Sequence, residues 1–296
     1  MGRGRAERGA AWRRKTIMPS RQACALIGLV VLVLVSTQAS AQASPVPAPR
    51  VDTVAHRLAA DGSRLRAMVL TYRSLLTRDS VASFVGEVQI KISETQYAGA
   101  PAWLLTQNGT RGTGAASDSL VVTRADLRPL HWIASLGPAR LAAEFRADTV
   151  FGAMSSPLGR QNIVLGNRAD LLVNSAAVDA LLATVSLDGG WRDSARVLVV
   201  DAGGSTTAAA TMAVDGEEHV SVPAGEFDCW IVSLETERGS ERLWVSKQDP
   251  TVVRSEQILP QLGGAVLERA LIRVEPIVSP AAPPPPSSSS PTGRTR

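Results

Sequence analysis

Three histidines and two cysteines are the scarce reactive side chains of this chain. His56, His131 and His219 lie far apart, and none belongs to an H-E-x-x-H pair that would set two imidazoles on one helix face. Cys24 and Cys229 form no C-x-x-C, so no redox pair or thiolate zinc site is encoded locally. No G-x-S-x-G nucleophile elbow occurs. Gly109, Gly112 and Gly114 loosely resemble a phosphate loop, but they lie between strand-like runs with no helix after them, and so read as a hairpin loop. His219 follows Glu217 and Glu218 beside a turn, with no third group in view, which suits the solvated end of a hairpin. The reading leans away from an enzyme: no catalytic residue, metal or cofactor is assigned.

Apolar spacing offers a different kind of site. Val178, Leu181, Leu182 and Val185 recur at i, i+3, i+4 and i+7, which predicts a helix with one apolar stripe. Asn174 or Ser175 can cap its start, and Gly189-Gly190 can stop it. These four side chains are the candidate lining of an apolar ligand cavity. The same spacing is what any helix needs to pack on a core. A second, weaker helical stretch runs from Val51 to Ala60.

The elements that would position such a helix are mostly strands. Phe84 to Ile92, Trp103 to Thr106, Leu120 to Thr123, Leu130 to Ser135, Leu141 to Phe145 and Thr149 to Phe151 are short strand-like runs. In the C-terminal third, Thr211 to Val214 leads to a turn at Asp215-Gly216, then His219 to Val222 reaches Pro223-Ala224-Gly225. Phe227 to Thr236, Arg242 to Ser246, Val252 to Leu259 and Val266 to Val274 complete an antiparallel meander. Period-2 mixing along these runs predicts one packed and one solvated face. Trp230, with Val232 and Leu234 on its face by alternation, reads as a core aromatic, and Cys229 as a buried thiol. The expected fold is mainly β: a curved antiparallel sheet or incomplete barrel with one or two packing helices.

Composition fixes the setting. The chain has 296 residues, 45% of them apolar, enough for a sizeable core and too many for a wholly disordered protein. Seven of its 31 basic residues, but only one of its 27 acids, lie in residues 1–41. The rest is close to neutral, which gives no reason to expect nucleic acid as a partner. Residues 1–41 read as a signal peptide: a basic segment to Arg21, an apolar run from Ala23 to Val35, and small residues allowing cleavage after Ala41 or Ala43. That run is shorter than the roughly 20 residues of a membrane-spanning helix, so no stable span is expected after cleavage. Met18 is an alternative start. Residues 42–50 form a Pro-rich spacer, 51–275 a single β-rich domain, and 276–296 a Pro/Ser tail expected to be disordered. The expected location is periplasmic or extracellular.

The stretch from Val220 to Trp230, followed by Leu243 to Ser246 and Val252 to Arg254, resembles the bacterial domain of unknown function 3108 family. It is also similar to the wider group around the outer-membrane lipoprotein carriers. Asp118 to Val122 with Leu127-Arg128-Pro129 fits the same pattern, and the resemblance spans residues 60–275. It implies a curved antiparallel sheet, an incomplete barrel with helix covering its open side, and no catalytic residues. The chain departs from the carriers in its Pro/Ser tail and in lacking a lipid-modification cysteine. Two functions follow as expectations. One is a non-enzymatic cell-envelope protein sheltering an apolar ligand such as a lipid or acyl chain. The other is a structural or assembly factor holding an envelope protein partner. A roomy apolar interior distinguishes the first from the second.

Overall fold

A computed structural model describes residues 59–111, 114–201 and 204–277. The leader, the spacer, residues 51–58 of the weaker helical stretch and all but the first two residues of the Pro/Ser tail lie outside the described residues. Ala59 and Ala60, the end of that stretch, are irregular.

Alternating apolar residues and tight turns produce fifteen strands. They are β1 (Met68–Arg78), β2 (Val81–Tyr97), β3 (Ala100–Arg111), β4 (Gly114–Thr123), β5 (Pro129–Leu136), β6 (Ala139–Phe145), β7 (Thr149–Ser156) and β8 (Gly159–Gly166). After β9 (Leu171–Leu172) and a helix, α1 (Ser175–Leu182), come β10 (Arg192–Asp201), β11 (Gly204–Val222), β12 (Gly225–Thr236), β13 (Gly239–Ser246), β14 (Val252–Leu259) and β15 (Ala265–Pro276). All belong to one sheet in the order β8-β7-β6-β5-β4-β3-β2-β1-β15-β14-β13-β12-β11-β10-β9. Every neighbouring pair is antiparallel except β9 and β10, which are parallel and joined through α1. The first and last strands thus meet at the middle, and two meandering wings run outward from that seam. The sheet does not close, although β8 curls back to lie near β11.

The hairpins are as short as hairpins can usefully be. Arg78 pairs with Val81, Tyr97 with Ala100, Ser156 with Gly159 and Thr236 with Gly239, each pair enclosing two residues. In the first, Asp79 and Ser80 have φ of 50° and 64°; in the second, Ala98 and Gly99 have 49° and 81°. Two successive positive φ values give the turn whose twist matches the flanking strands. The glycine loop also resolves as a hairpin, since Arg111 pairs with Gly114.

Alternation then sorts the faces. Val88, Ile90 and Ile92 are buried while Glu87, Gln89 and Lys91 are exposed. The inward row continues through Leu70 and Tyr72 on β1, Leu105, Leu120 and Trp132, all buried. One expected turn is absent. Asp215-Gly216 does not end a strand; β11 runs through it with a shift in pairing between Val214 and Gly216. An extra residue in one strand can be absorbed as a bulge that bends the strand without breaking it.

The helix also departs from expectation. Asn174 is the cap, its Oδ1 accepting from the Ala177 N–H at 2.8 Å. Instead of running to Gly189-Gly190, α1 ends at Leu182, where the Thr184 hydroxyl and the Ala183 N–H turn back onto helix carbonyls. A single apolar stripe is not what it presents. Every residue from Ala176 to Leu182 is buried, because the helix lies within the trough of the curved sheet and is packed all round. Trp230 is corrected as well. Val232 and Leu234 are buried, but Trp230 is only half-buried, with the Lys247 ammonium 4.0 Å above its ring. It sits toward the open end of the trough, where the inward face meets solvent.

Trp132 is fully buried, and its Nε1 donates to Asp118 Oδ1 at 2.8 Å. We expect Trp132→Ala to cost about 3–5 kcal/mol, the usual range for deleting a core aromatic. Chemical denaturation checks this; a midpoint equal to wild type would contradict the register described.

Candidate functional site

A helix buried on all sides must satisfy its polar groups through the sheet, and three contacts do so. Asp118 on β4 accepts from both Trp132 Nε1 and Asn174 Nδ2, each at 2.8 Å, and so holds the capping residue in place. Ser175 Oγ adds a bond to Gln107 Oε1 at 2.9 Å. Toward the other end of the helix, Asp179 Oδ1 accepts from Arg269 Nη2 on β15 at 2.9 Å. Both side chains of this ion pair are buried, at 5% and 10% exposure.

Arg269 is further held at the seam between first and last strands. Its guanidinium lies 4.5 Å above the ring of Tyr72 on β1, and the Tyr72 hydroxyl donates to the Val252 carbonyl at 2.8 Å. Burial raises the Asp179 carboxyl above its ordinary pKa, and Arg269 draws it partly back. Burial likewise raises Glu241, which shares the Arg269 charge and is hydrogen-bonded to Ser255. Asp179 Oδ2 has no hydrogen-bond partner.

Beside this pair the trough opens into a groove of about 730 Å³. Its walls are mostly apolar, with Leu70, Ile92, Phe227, Val252, Val253 and Leu271 among them. From the helix it receives Asp179 and Ala183. Three cations stand on its lining, and each is engaged. Arg64 donates to the Thr184 carbonyl and to Ser186 Oγ, both at 3.0 Å. Arg66 pairs with Asp249 at 3.5 Å, and Lys247 pairs with Glu217.

None of the four candidate lining residues lines this groove. Val178 borders a separate void of about 70 Å³ and Leu181 one of about 20 Å³. Leu182 and Val185 are buried at 0% and 3% exposure within the core. The residues that do line the groove come from the segment before β1, from β1, β2, the C-terminal half of α1, β12, the β13–β14 connection, β14 and β15. The alternation of the β14 and β15 lining was visible in sequence; the convergence of the whole lining was not.

The scarce reactive groups are elsewhere. His56 lies outside the described residues. His131 Nδ1 is 2.7 Å from Glu144 Oε1, and the Tyr97 hydroxyl donates to Glu144 Oε2 at 2.6 Å, a cross-strand polar cluster that does not touch the groove. Among the described residues no group of three or more His, Cys, Asp or Glu could hold a metal ion. No described helix is long and apolar enough to cross a membrane. Cys229 is buried, and burial pushes its thiol up to about 11, so it is protonated at neutral pH.

The residues from Val220 to Trp230 form the β11–β12 hairpin, as the strand and turn motifs require. A family profile described as a protein of unknown function (DUF3108) matches residues 79–260. The chain belongs to the DUF3108 family. No curated protein matches its sequence. Several solved structures resemble it at low identity. A Bacteroides fragilis protein, described as exported and as having a YmcC-like fold, is 11% identical; it covers 71% of this chain and 96% of its own, with a TM-score of 0.33. A Parabacteroides distasonis protein described as a lipoprotein is 11% identical, covering 72% and 96%, with a TM-score of 0.31. The hypothetical lipoprotein YmcC of Escherichia coli is 12% identical, covering 74% and 91%, with a TM-score of 0.32.

Two measurements check the site. Arg269→Leu leaves the Asp179 carboxylate buried without its partner and should cost about 3–5 kcal/mol, the range for breaking a buried pair; a loss below about 1 kcal/mol would show a pair already met by water. His219, exposed on β11, lies 2.9 Å from Asp228 Oδ1, and that hydrogen bond raises its pKa above 6.5. The resulting stabilisation is fully present below the unfolded-state pKa and fades as pH rises through the folded one. Asp228→Asn should therefore lower the His219 midpoint in an NMR titration, and an unmoved midpoint would discard the contact.

Proposed function

We propose that this is a non-enzymatic, exported cell-envelope protein that shelters an apolar chain, such as the acyl chain of a lipid, in the groove beside α1. The observation that carries the reading is the groove itself. Its volume of about 730 Å³ falls in the range of small-molecule sites, and more than half of its lining residues are apolar. A sheet filled by its own side chains would offer no such space. Each methylene taken from water contributes roughly 0.8 kcal/mol against the cost of association, so a chain of ordinary length can bind without a charged anchor. The leader in residues 1–41 supports export to the periplasm or beyond.

In this reading Val178, Leu181, Leu182 and Val185 are the packed wall behind the groove. They hold α1 at the depth that leaves the space open, and Ala183 at the helix end is the side chain whose size sets the width. The alternative is a structural or assembly factor that uses the sheet to hold an envelope protein partner.

Nile red, a neutral apolar dye, tests the proposal. Wild-type protein should bind it saturably and release it to dodecyl methyl ether. Ala183→Trp should fill the groove and weaken both at least about tenfold, equivalent to about 1.4 kcal/mol, with an unchanged far-ultraviolet circular dichroism spectrum. If wild-type protein shows no saturable uptake, the sheltering role fails and the assembly role takes its place.

A further inference from the structure

Among the described residues that line the groove, Arg64 is the cation with no carboxylate in contact. It donates only to neutral acceptors, the Thr184 carbonyl and Ser186 Oγ, both at 3.0 Å. Asp61 lies near enough for that charge to lower its pKa, but it accepts from Ser63 and forms no ion pair with the arginine. The other two lining cations each meet an acid: Arg66 pairs with Asp249, and Lys247 with Glu217.

The way Arg64 is held matters as much as its charge. Both of its hydrogen bonds leave from Nη1, so Nε and Nη2 have no partner among the described residues. Those two nitrogens carry the parallel N–H groups that a carboxylate accepts bidentately. The acceptors at Nη1 lie 120 and 122 residues away in sequence, just beyond the end of α1, and they tie the guanidinium to the helix side of the groove. An arginine already ordered in this way gives up less entropy when it meets an anion. Asp179 stands on the same lining, but it faces Arg269, its side chain is 5% exposed, and burial favours its protonated form. Glu241, which shares the Arg269 charge, does not line the groove. One unmatched positive charge beside an apolar channel suits a monoanion with an apolar chain. A cationic headgroup would be repelled there, and a neutral one would leave the charge to water.

Building on the proposed sheltering role, we infer that the groove's ligand is a long-chain carboxylate, a free fatty acid, whose headgroup takes the Nε and Nη2 edge of Arg64 while its chain lies along Leu70, Ile92, Val252 and Leu271.

Decanoate and decanol share a chain and differ in charge, and they decide the point by displacement of Nile red from full-length protein at neutral pH. Decanoate should bind at least about tenfold tighter to the wild type, within what charge-assisted hydrogen bonds supply. Arg64→Gln should bring the ratio to about one while leaving decanol within about twofold of its wild-type affinity, which the loss of a merely structural arginine would not do. Arg64→Lys keeps the charge and loses the paired N–H groups, so its ratio should fall between. Arg66→Gln should leave the wild-type ratio in place. Decyl phosphate should bind no tighter than decanoate, since a single unmatched charge faces it. Equal binding of decanoate and decanol by the wild type would overturn the inference while leaving the sheltering role intact. Tighter binding of decyl phosphate, or a ratio that survives Arg64→Gln, would also overturn it. If Arg64→Gln does not fold, Arg64→Lys decides: a ratio equal to wild type would discard the bidentate contact. If none of the probes displaces the dye, the sheltering role fails first.

Discussion

The ion pair between Asp179 and Arg269 is the contact on which the rest of the architecture turns. It joins the only α-helix among the described residues to the last strand of the sheet, beside the seam where that strand meets the first. A sheet whose first and last strands pair at its centre has two wings free to splay. The helix gives the inward faces of both wings something to pack against, and the buried pair fixes where along the trough it sits. A buried ion pair is weak evidence of stability in itself, because desolvation offsets much of the attraction. Its value here is positional. An apolar helix could slide or rotate in an aliphatic trough, whereas a carboxylate that must meet one guanidinium cannot.

That position has a consequence at each end of the helix. At the N-terminus, Asp118 receives both Trp132 and Asn174, so the cap is locked to the wing built from β4 and β5. Near the C-terminus, Ala183 and Asp179 border the groove. One end of the trough is therefore filled and the other is not. The groove arises because the helix is too short to fill the trough that holds it.

Much of this was legible in sequence where the cause is local. Two-residue turns announce hairpins, and alternation along β2 and β12 marks the faces. Asn174 followed by apolar residues marks the helix start. The failures have physical reasons. Asp215-Gly216 has turn chemistry but is absorbed as a bulge, because pairing on both sides of it outweighs the local preference. Gly189-Gly190 can stop a helix, but α1 has already ended at Leu182. Strands β1, β8 and β10 carry patterns too weak to identify without their partners. Asp179 lies off the stripe of Val178, Leu181, Leu182 and Val185, and nothing in the sequence singles it out. Its partner lies ninety residues away in sequence, and no local rule joins them. The groove lining has the same character, being assembled from stretches far apart in sequence.

Native mass spectrometry of the mature protein purified from its own host tests the central claim most directly. The account predicts one added mass per chain, matching a single ligand with an apolar chain that is released when the protein unfolds. A bare mass as purified, and still bare after incubation with excess monooleoylglycerol, would contradict it.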